Sequence, residues 1–420
     1  MDIVILSTYD ADGSGIFARK LLRATQKLGY TAQIITVRSK ESNSDISSFF
    51  SKNSVRGLVY LLKMRLSAYL YRTKSDYAFL ETHSIGKRMA LSSRALPSDC
   101  KLIICTFLSG MFSPKTFSAF TSKFGDVPVI FYGVDMNLFT GGCHYSQSCQ
   151  QYALECSHCP AITPAAHFFV RRNFQRKCEM VKSLIKHTVI ASSDQHYKQI
   201  KKSRIFKRSN IQEILLSVDE RIFGVHENFR HLIKIEYNLR GKVLLIRSSA
   251  EPRKGSQLFI DSIRLLELKN PELISCLSIV TVGDNFISEQ LVSSGCDLHY
   301  LGYIADENEL SKLYSAADFF INPSLADGGP MMLAQSLMSY TPVITTNVGL
   351  ASNLIFSGKS GAILKEITAV ELLNEIEFLC SKERQDLDCL RRNTRTIAMK
   401  YLSREKYIKK LDELLKDNIG

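Results

Sequence analysis

Residues 319–343 read FFINPSLADGGPMMLAQSLMSYTPV. Phe319, Phe320 and Ile321 make an apolar run that stops at Asn322 and Pro323, as a buried strand would. Asp327-Gly328-Gly329-Pro330 follows. A Gly-Gly turn lets backbone come close to a ligand, and Pro330 suits the first turn of a helix, where its missing N–H has no partner to lose. A helix starting there points unpaired N–H groups and partial positive charge at any anion in front of it. The turn suits a diphosphate, with polar side chains left over to grip hydroxyl groups; Gln335 stands eight residues after Asp327. The bland alternative is a strand and core helix of any α/β domain.

Outward from this stretch the chain alternates strands and helices, in two series. In the first, Ile3 to Leu6 is a short apolar run ending in DADGSG (10–15). Phe17, Leu21, Ala24 and Leu28 then recur at helical spacing, Gly29 closes the helix, and Thr31 to Val37 reads as the next strand. Leu102 to Cys105, Val127 to Tyr132 and Thr188 to Ala191 read as further strands, the last followed by a Ser-Ser-Asp helix cap. In the second series, Val243 to Ile246 is a strand, and Arg253-Lys254-Gly255 opens a helix carrying Phe259, Ile263 and Leu266. Leu277 to Val282 is a strand, Asp306 to Ala317 a helix. The polar stretch 218–241 reads as irregular and as the domain boundary. This order predicts parallel sheets covered by helices on both faces, and 420 residues suffice for two such cores. In open α/β folds ligands gather in the loops just after strands.

The net charge of +13 and pI near 9.1 invite nucleic acid or an anionic membrane surface. Basic residues concentrate in 56–74, RGLVYLLKMRLSAYLYRTK, and in 171–208. Basic residues flanking apolar and aromatic ones suit a helix lying in a lipid interface; a solvated face with an ordinary buried side fits as well. No zinc-finger, helix-turn-helix or RNP pattern accompanies the charge, so no nucleic-acid partner is expected. No apolar run reaches the roughly 18 residues of a membrane span, and no basic segment precedes the first apolar run as in a signal peptide. A cytoplasmic protein is expected. Of eleven cysteines, Cys143, Cys149, Cys156 and Cys159 are bunched. Cys156-x-x-Cys159 has the spacing of a zinc knuckle, so a structural zinc is one expectation, with free thiols or a disulfide as the others.

Several of these segments together carry a resemblance. The 319–343 stretch resembles the donor-site motif of family 4 glycosyltransferases, enzymes of the two-domain GT-B fold, where two Glu residues occur within a run like PS…EG.P..LLEA…G.PVV. Asp327 and Gln335 fall on those Glu positions. Arg253-Lys254-Gly255 resembles the family's KG signature, whose Lys contacts donor phosphates. Residues 131–162, FYGVDMNLFTGGCHYSQSCQQYALECSHCPAI, are similar to the segment TLHDMW.FTGGCHYS..C......C..CP of a subfamily building bacterial surface polysaccharides of the colanic-acid type. Asp135, Phe139, Gly141, Gly142, Cys143, His144 and Tyr145 all fall in place, while Val134 stands at the family's His and Asn137 at its Trp. Leu216, Ser217, Val218 and Asp219 replace the usual N-G-I-D loop.

The resemblance implies an α/β GT-B architecture: two Rossmann-like doubly wound domains with an inter-domain cleft. Residues 1–225 would be the acceptor side, with the helix 403–420 packing back on it, and 226–402 the nucleotide-sugar side. It implies a retaining glycosyltransferase that moves a sugar from a nucleotide-diphospho sugar to a lipid-linked glycan or polysaccharide acceptor in bacterial surface glycan biosynthesis. Catalytic carboxylates would be Asp327 and Asp135. Donor contacts would be Gly13, Gly15, Arg253, Lys254, Gly329, Met331, Met332 and Gln335. No catalytic metal is expected, because a helix N-terminus and Lys254 would neutralise the diphosphate. The expected partners are the nucleotide sugar, the acceptor and an anionic membrane surface, placing the chain in the cytoplasm, peripheral on the inner membrane face. The replacements at Val134 and Gln335 motivate the alternative, a catalytically weakened member serving as a glycan- or partner-binding subunit.

Overall fold

The structure, a computed structural model, describes all residues except 40–43, 52–53, 72, 80–84, 86–95, 293 and 420. Arg72, in the first basic stretch, thus lies outside the described residues. The chain forms two compact units, one of Met1–Ile214 with Ile408–Gly420, the other of Leu215–Tyr407.

Unit 1 holds a seven-stranded parallel sheet of β1 (Ile3–Ser7), β2 (Ala32–Arg38), β3 (Ile46–Phe50), β4 (Leu102–Phe107), β5 (Val129–Phe131), β6 (His187–Ala191) and β7 (Asn210–Glu213). Their spatial order is β3-β2-β1-β4-β5-β6-β7. Every residue of β1 is buried, as expected of a strand covered on both faces. The helix α1 (Asp12–Lys27) follows it directly. A Cβ on Gly15 would lie 2.3 Å from the Asp10 carbonyl carbon, so only glycine permits this strand-to-helix turn. Helix α2 (Val55–Leu70) is capped by the Ser54 side chain, which accepts from Gly57 N–H. The strand read over 127–132 is shorter, Val129–Phe131.

Unit 2 holds β8 (Lys242–Ser248), β9 (Leu277–Gly283), β10 (Asp297–Tyr300), β11 (Phe319–Asn322), β12 (Val343–Thr345) and β13 (Gly361–Ile363), in the order β10-β9-β8-β11-β12-β13. All ladders are parallel. Alternate residues of β8 feed two cores: Val243 and Leu245 pack on one side, Leu244 and Ile246 on the other. That is the period-two consequence of a pleated strand between two helix layers.

The stretch 218–241 is not wholly irregular, contrary to its polar appearance: it contains the helix Arg230–Glu236. Tertiary charge pairing supplies what periodicity did not show. Arg230 and Lys234 reach the buried Asp318 carboxylate at 2.6 and 2.9 Å, and Val243 N–H donates to it at 2.8 Å. Burial works against that carboxylate, yet Arg230 and Lys234 hold it below the usual range.

In each sheet the chain reverses its direction of winding at one point, between β1 and β4 in unit 1 and between β8 and β11 in unit 2. The crevice outside the carboxyl ends of such strands is where open α/β sheets bind ligands.

Candidate active site

At the β8/β11 switch point of unit 2 two loops meet, residues 249–255 and 323–330. Gly255 sits at φ +71°, and a Cβ there would fall 1.9 Å from Pro323 O, so glycine allows the loops to touch. Arg253 O accepts from Leu325 N at 2.7 Å, which ties them together. The first loop is ordered from outside by Asp284, at the end of β9, whose carboxylate accepts from Ser248 Oγ at 3.0 Å and Ala250 N at 2.7 Å. The second rests on Asn322, which donates to Thr345 Oγ1 at 2.9 Å and accepts from Ser324 Oγ at 3.1 Å.

This framework brings Lys254 Nζ within 2.5 Å of Asp327 Oδ2, both side chains nearly buried. Asp327 Oδ1 also accepts from Gly329 N at 3.2 Å. Burial works against the Asp327 carboxylate, but Lys254, Arg253 and the Gly329 N–H outweigh it and hold the group below the usual range. Lys254 is pulled the other way: burial, with Arg253 and Arg247 nearby, lowers it against the pull of Asp327. At neutral pH the contact is carboxylate to ammonium, since removing either charge would strand the other in a nearly buried position. The helix Met331–Met338 begins directly after the turn with Pro330 as its N-cap. Its first residues, Met331 and Met332, are half-buried and Gln335 is buried one turn further on. A Cβ on Gly329 would meet open space, so nothing in the chain crowds that side of the turn. Of the residues expected to bind donor, Arg253, Lys254, Gly329, Met331, Met332 and Gln335 therefore gather here with Asp327. Asp284 was not among the residues expected to bind donor; its carboxylate just after a strand was the available signal.

Gly13, Gly15 and Asp135 belong to unit 1. Gly13 and Gly15 lie in the first turn of α1, and Gly15 serves the tight turn described above. Asp135 follows β5. Its Oδ2 meets His144 Nδ1 at 2.8 Å, its Oδ1 accepts from Asn137 N at 2.9 Å, and its carbonyl accepts from His196 Nε2 at 3.1 Å. Burial works against the Asp135 carboxylate, while His144, Asn137 N–H and His196 keep it below the usual range. Burial also lowers His196 to about 4, so it is neutral, with Nδ1 accepting from Ser192 N at 3.2 Å. His144 Nε2, the far ring nitrogen, is buried and has no hydrogen-bond partner. The imidazole stacks on Phe107 at the end of β4, centroids 4.8 Å apart. Val134 carries no polar side chain beside this pair. Asp219, in the altered loop, pairs with Arg221 at 2.8 Å and Arg404 at 3.6 Å.

Cys143, Cys149, Cys156 and Cys159 do come to one place. All four line a single small cavity with Tyr77, Phe79 and Tyr152, and all are free thiols. Burial pushes the Cys143 thiol up and that of Cys156 to about 12. Among the described residues no three His, Cys, Asp or Glu side chains form a set able to hold a metal ion. The four sulfurs thus share one cavity with these aromatic rings.

The two parallel-sheet, Rossmann-like units make this a protein of GT-B type. Residues 241–382, all within unit 2, match the family model described as Glycosyl transferases group 1. Mannosylfructose-phosphate synthase of Agrobacterium fabrum (strain C58 / ATCC 33970) is 29% identical over 153 residues, 33% of either chain. The chain spans about a third of the length of the curated relatives it matches. Among solved structures, sucrose-phosphate synthase from Thermosynechococcus elongatus superposes with a TM-score of 0.68 at 13% identity, covering 99% of this chain and 98% of that one. Anabaena Alr3699/HepE in complex with UDP and glucose gives 0.66 at 14% identity over 99% and 100%. At these identities the structures speak for the fold.

Proposed function

We propose that the chain transfers a sugar, with retention, from a nucleotide-diphospho sugar to a lipid-linked glycan or polysaccharide acceptor in bacterial surface glycan assembly, at the cytoplasmic face of the membrane. The observation that carries this reading is the Lys254–Asp327 contact at the β8/β11 switch point, beside an open glycine turn and a helix N-terminus. An ammonium ion, backbone N–H groups and a helix terminus are what a departing diphosphate needs, fixed in advance so that no reorganisation is required as the bond breaks. Asp327 holds the Lys254 ammonium ready; when the diphosphate takes it, the carboxylate is released toward the sugar's hydroxyls. Gln335 supplies an amide oxygen to the ribose hydroxyls in place of a carboxylate. On the unit 1 side, His144, oriented by Asp135, offers Nε2 to a hydroxyl where Val134 offers nothing. A buried polar atom left unpaired costs about 1–3 kcal/mol, which such a hydroxyl would recover.

The test is thermal shift against UDP-, GDP- and ADP-sugars. A donor at a hundred times its dissociation constant stabilises by about 2.7 kcal/mol, so one nucleotide class should stand out, and Lys254→Ala should weaken it about 10- to 100-fold. A flat screen, or a shift untouched by Lys254→Ala, sinks the proposal. Val134 favours a second reading, a subunit that binds donor or glycan without turnover; binding without product in a transfer assay would select it.

A further inference from the structure

Helix α2 contains no acidic residue, and it is apolar on two opposite sides. Gly57 and Tyr60 are buried, with Leu61 and Met64 packed against the unit 1 core. Tyr60 donates through its hydroxyl to Gly110 O and its ring meets Phe50 at 5.5 Å. The opposite side carries Val55, Leu58, Leu62, Leu66 and Tyr69, spaced by three and four residues and so aligned along one stripe. Each of these five is more than half exposed. Val59 and Leu70, also exposed, widen the stripe. The core does not need this second face, since the first already anchors the helix.

The charges sit where an interfacial helix would keep them. Arg56 and Lys63, two turns apart, run along one edge of the stripe and Arg65 along the other, all exposed. At the C-terminal end, the Tyr71 ring stacks on Phe169 with centroids 5.3 Å apart. That contact sets the start of helix His167–Ser183 beside the end of α2. There Phe168 is 71% exposed, with the Arg172 guanidinium 5.9 Å from its ring centroid. Among the described residues no helix is long and apolar enough to cross a membrane.

We infer that α2, extended by Phe168 and Arg172, is the surface by which this protein docks on an anionic lipid bilayer, lying in the plane of the interface. Leucines on one face would enter the acyl boundary, while Arg56, Lys63 and Arg65 reach lipid phosphates along its edges. Seven exposed apolar side chains along one helix are more than singly scattered surface residues, and the basic residues at their edges select an anionic surface over a neutral one. The inference deepens the proposed function by naming the part of the chain that meets the membrane, and it rests on that reading only for the biological sense of the docking.

Flotation of the full chain with vesicles on a density gradient tests it. The chain should float with vesicles of phosphatidylcholine and phosphatidylglycerol and stay behind with phosphatidylcholine alone. Leu62→Glu/Leu66→Glu should cut the bound fraction more than tenfold. Arg56→Gln/Lys63→Gln should cost about fivefold per residue at low salt. Both variants should keep the wild-type circular-dichroism melt, since the replaced side chains face outward. A wild type that does not float overturns the inference, as does a Glu variant that floats undiminished. So does sedimentation showing a wild-type dimer that the Glu variant splits, because the face would then join two copies. Donor shifts in the Glu variant keep the two questions apart: flotation lost with the shift intact supports the docking face, and flotation without any donor shift overturns only the transfer reading.

Discussion

Asp327 and Asp135 are each a nearly buried carboxylate just after a strand of a parallel sheet, each held below the usual range by a cationic or hydrogen-bonding partner. The partners differ. Asp327 faces Lys254, seventy-three residues away in sequence, delivered by the loop after the neighbouring strand. Asp135 faces His144, nine residues on within its own loop. The first pair sets an ammonium ion at a switch point with open space beside it, a device for a ligand that carries charge. The second sets an imidazole whose far nitrogen, Nε2, is buried without a partner. On the proposed reading, charge stabilisation falls to the first pair and proton handling to the second.

The comparison can be broken most sharply at Asp327. Asp327→Ala should lower kcat by about 10²- to 10³-fold, the usual cost of losing a fixed electrostatic group, read in a transfer assay with the selected donor; wild-type turnover would reduce the pair to a structural contact. On the other side, His144→Gln should lower kcat by about 10²-fold while leaving donor affinity unchanged. A loss of donor affinity instead would mean that the ring belongs to the donor's site.

The titratable side should also show itself in stability. Unfolded His196 takes up a proton near 6.5, folded His196 only near 4. In between, the unfolded state binds more protons, so stability present in full above 6.5 is lost as pH falls toward 4, by up to about 3 kcal/mol. Urea unfolding at pH 7 and 4.5 should show wild type losing more than His196→Gln by that margin; equal losses would deny that the neutral ring matters. The smallest effect is expected at Gln335→Glu, which restores a charged acceptor on the helix after the glycine turn. Donor binding by calorimetry should tighten about fivefold, and weaker binding would show that burial of the charge outweighs the bond.

Much of this was legible in the residues. The apolar runs at β1, β8, β9 and β11 mark strands covered on both faces, and the DGGP turn with the KG turn marks the ligand loops. Other parts were not. The edge strand β3 mixes Ser with Phe and carries little apolar signal. The helix Arg230–Glu236 was hidden because its ordering comes from Asp318, far along the chain. The cysteine spacing left zinc, free thiols and a disulfide open, and did not show that the four would share a cavity with Tyr77, Phe79 and Tyr152. In α2 the basic-apolar pattern announced an interfacial helix and an ordinary buried one equally.

Local order and periodicity, written in the chain, determined the parallel α/β architecture and the loops that would carry chemistry, because strand burial and helix capping act over a few neighbours. Which groups meet was decided only in three dimensions. Lys254 found Asp327 because β8 and β11 lie side by side, and α2 kept one apolar face bare because the core had room for only the other.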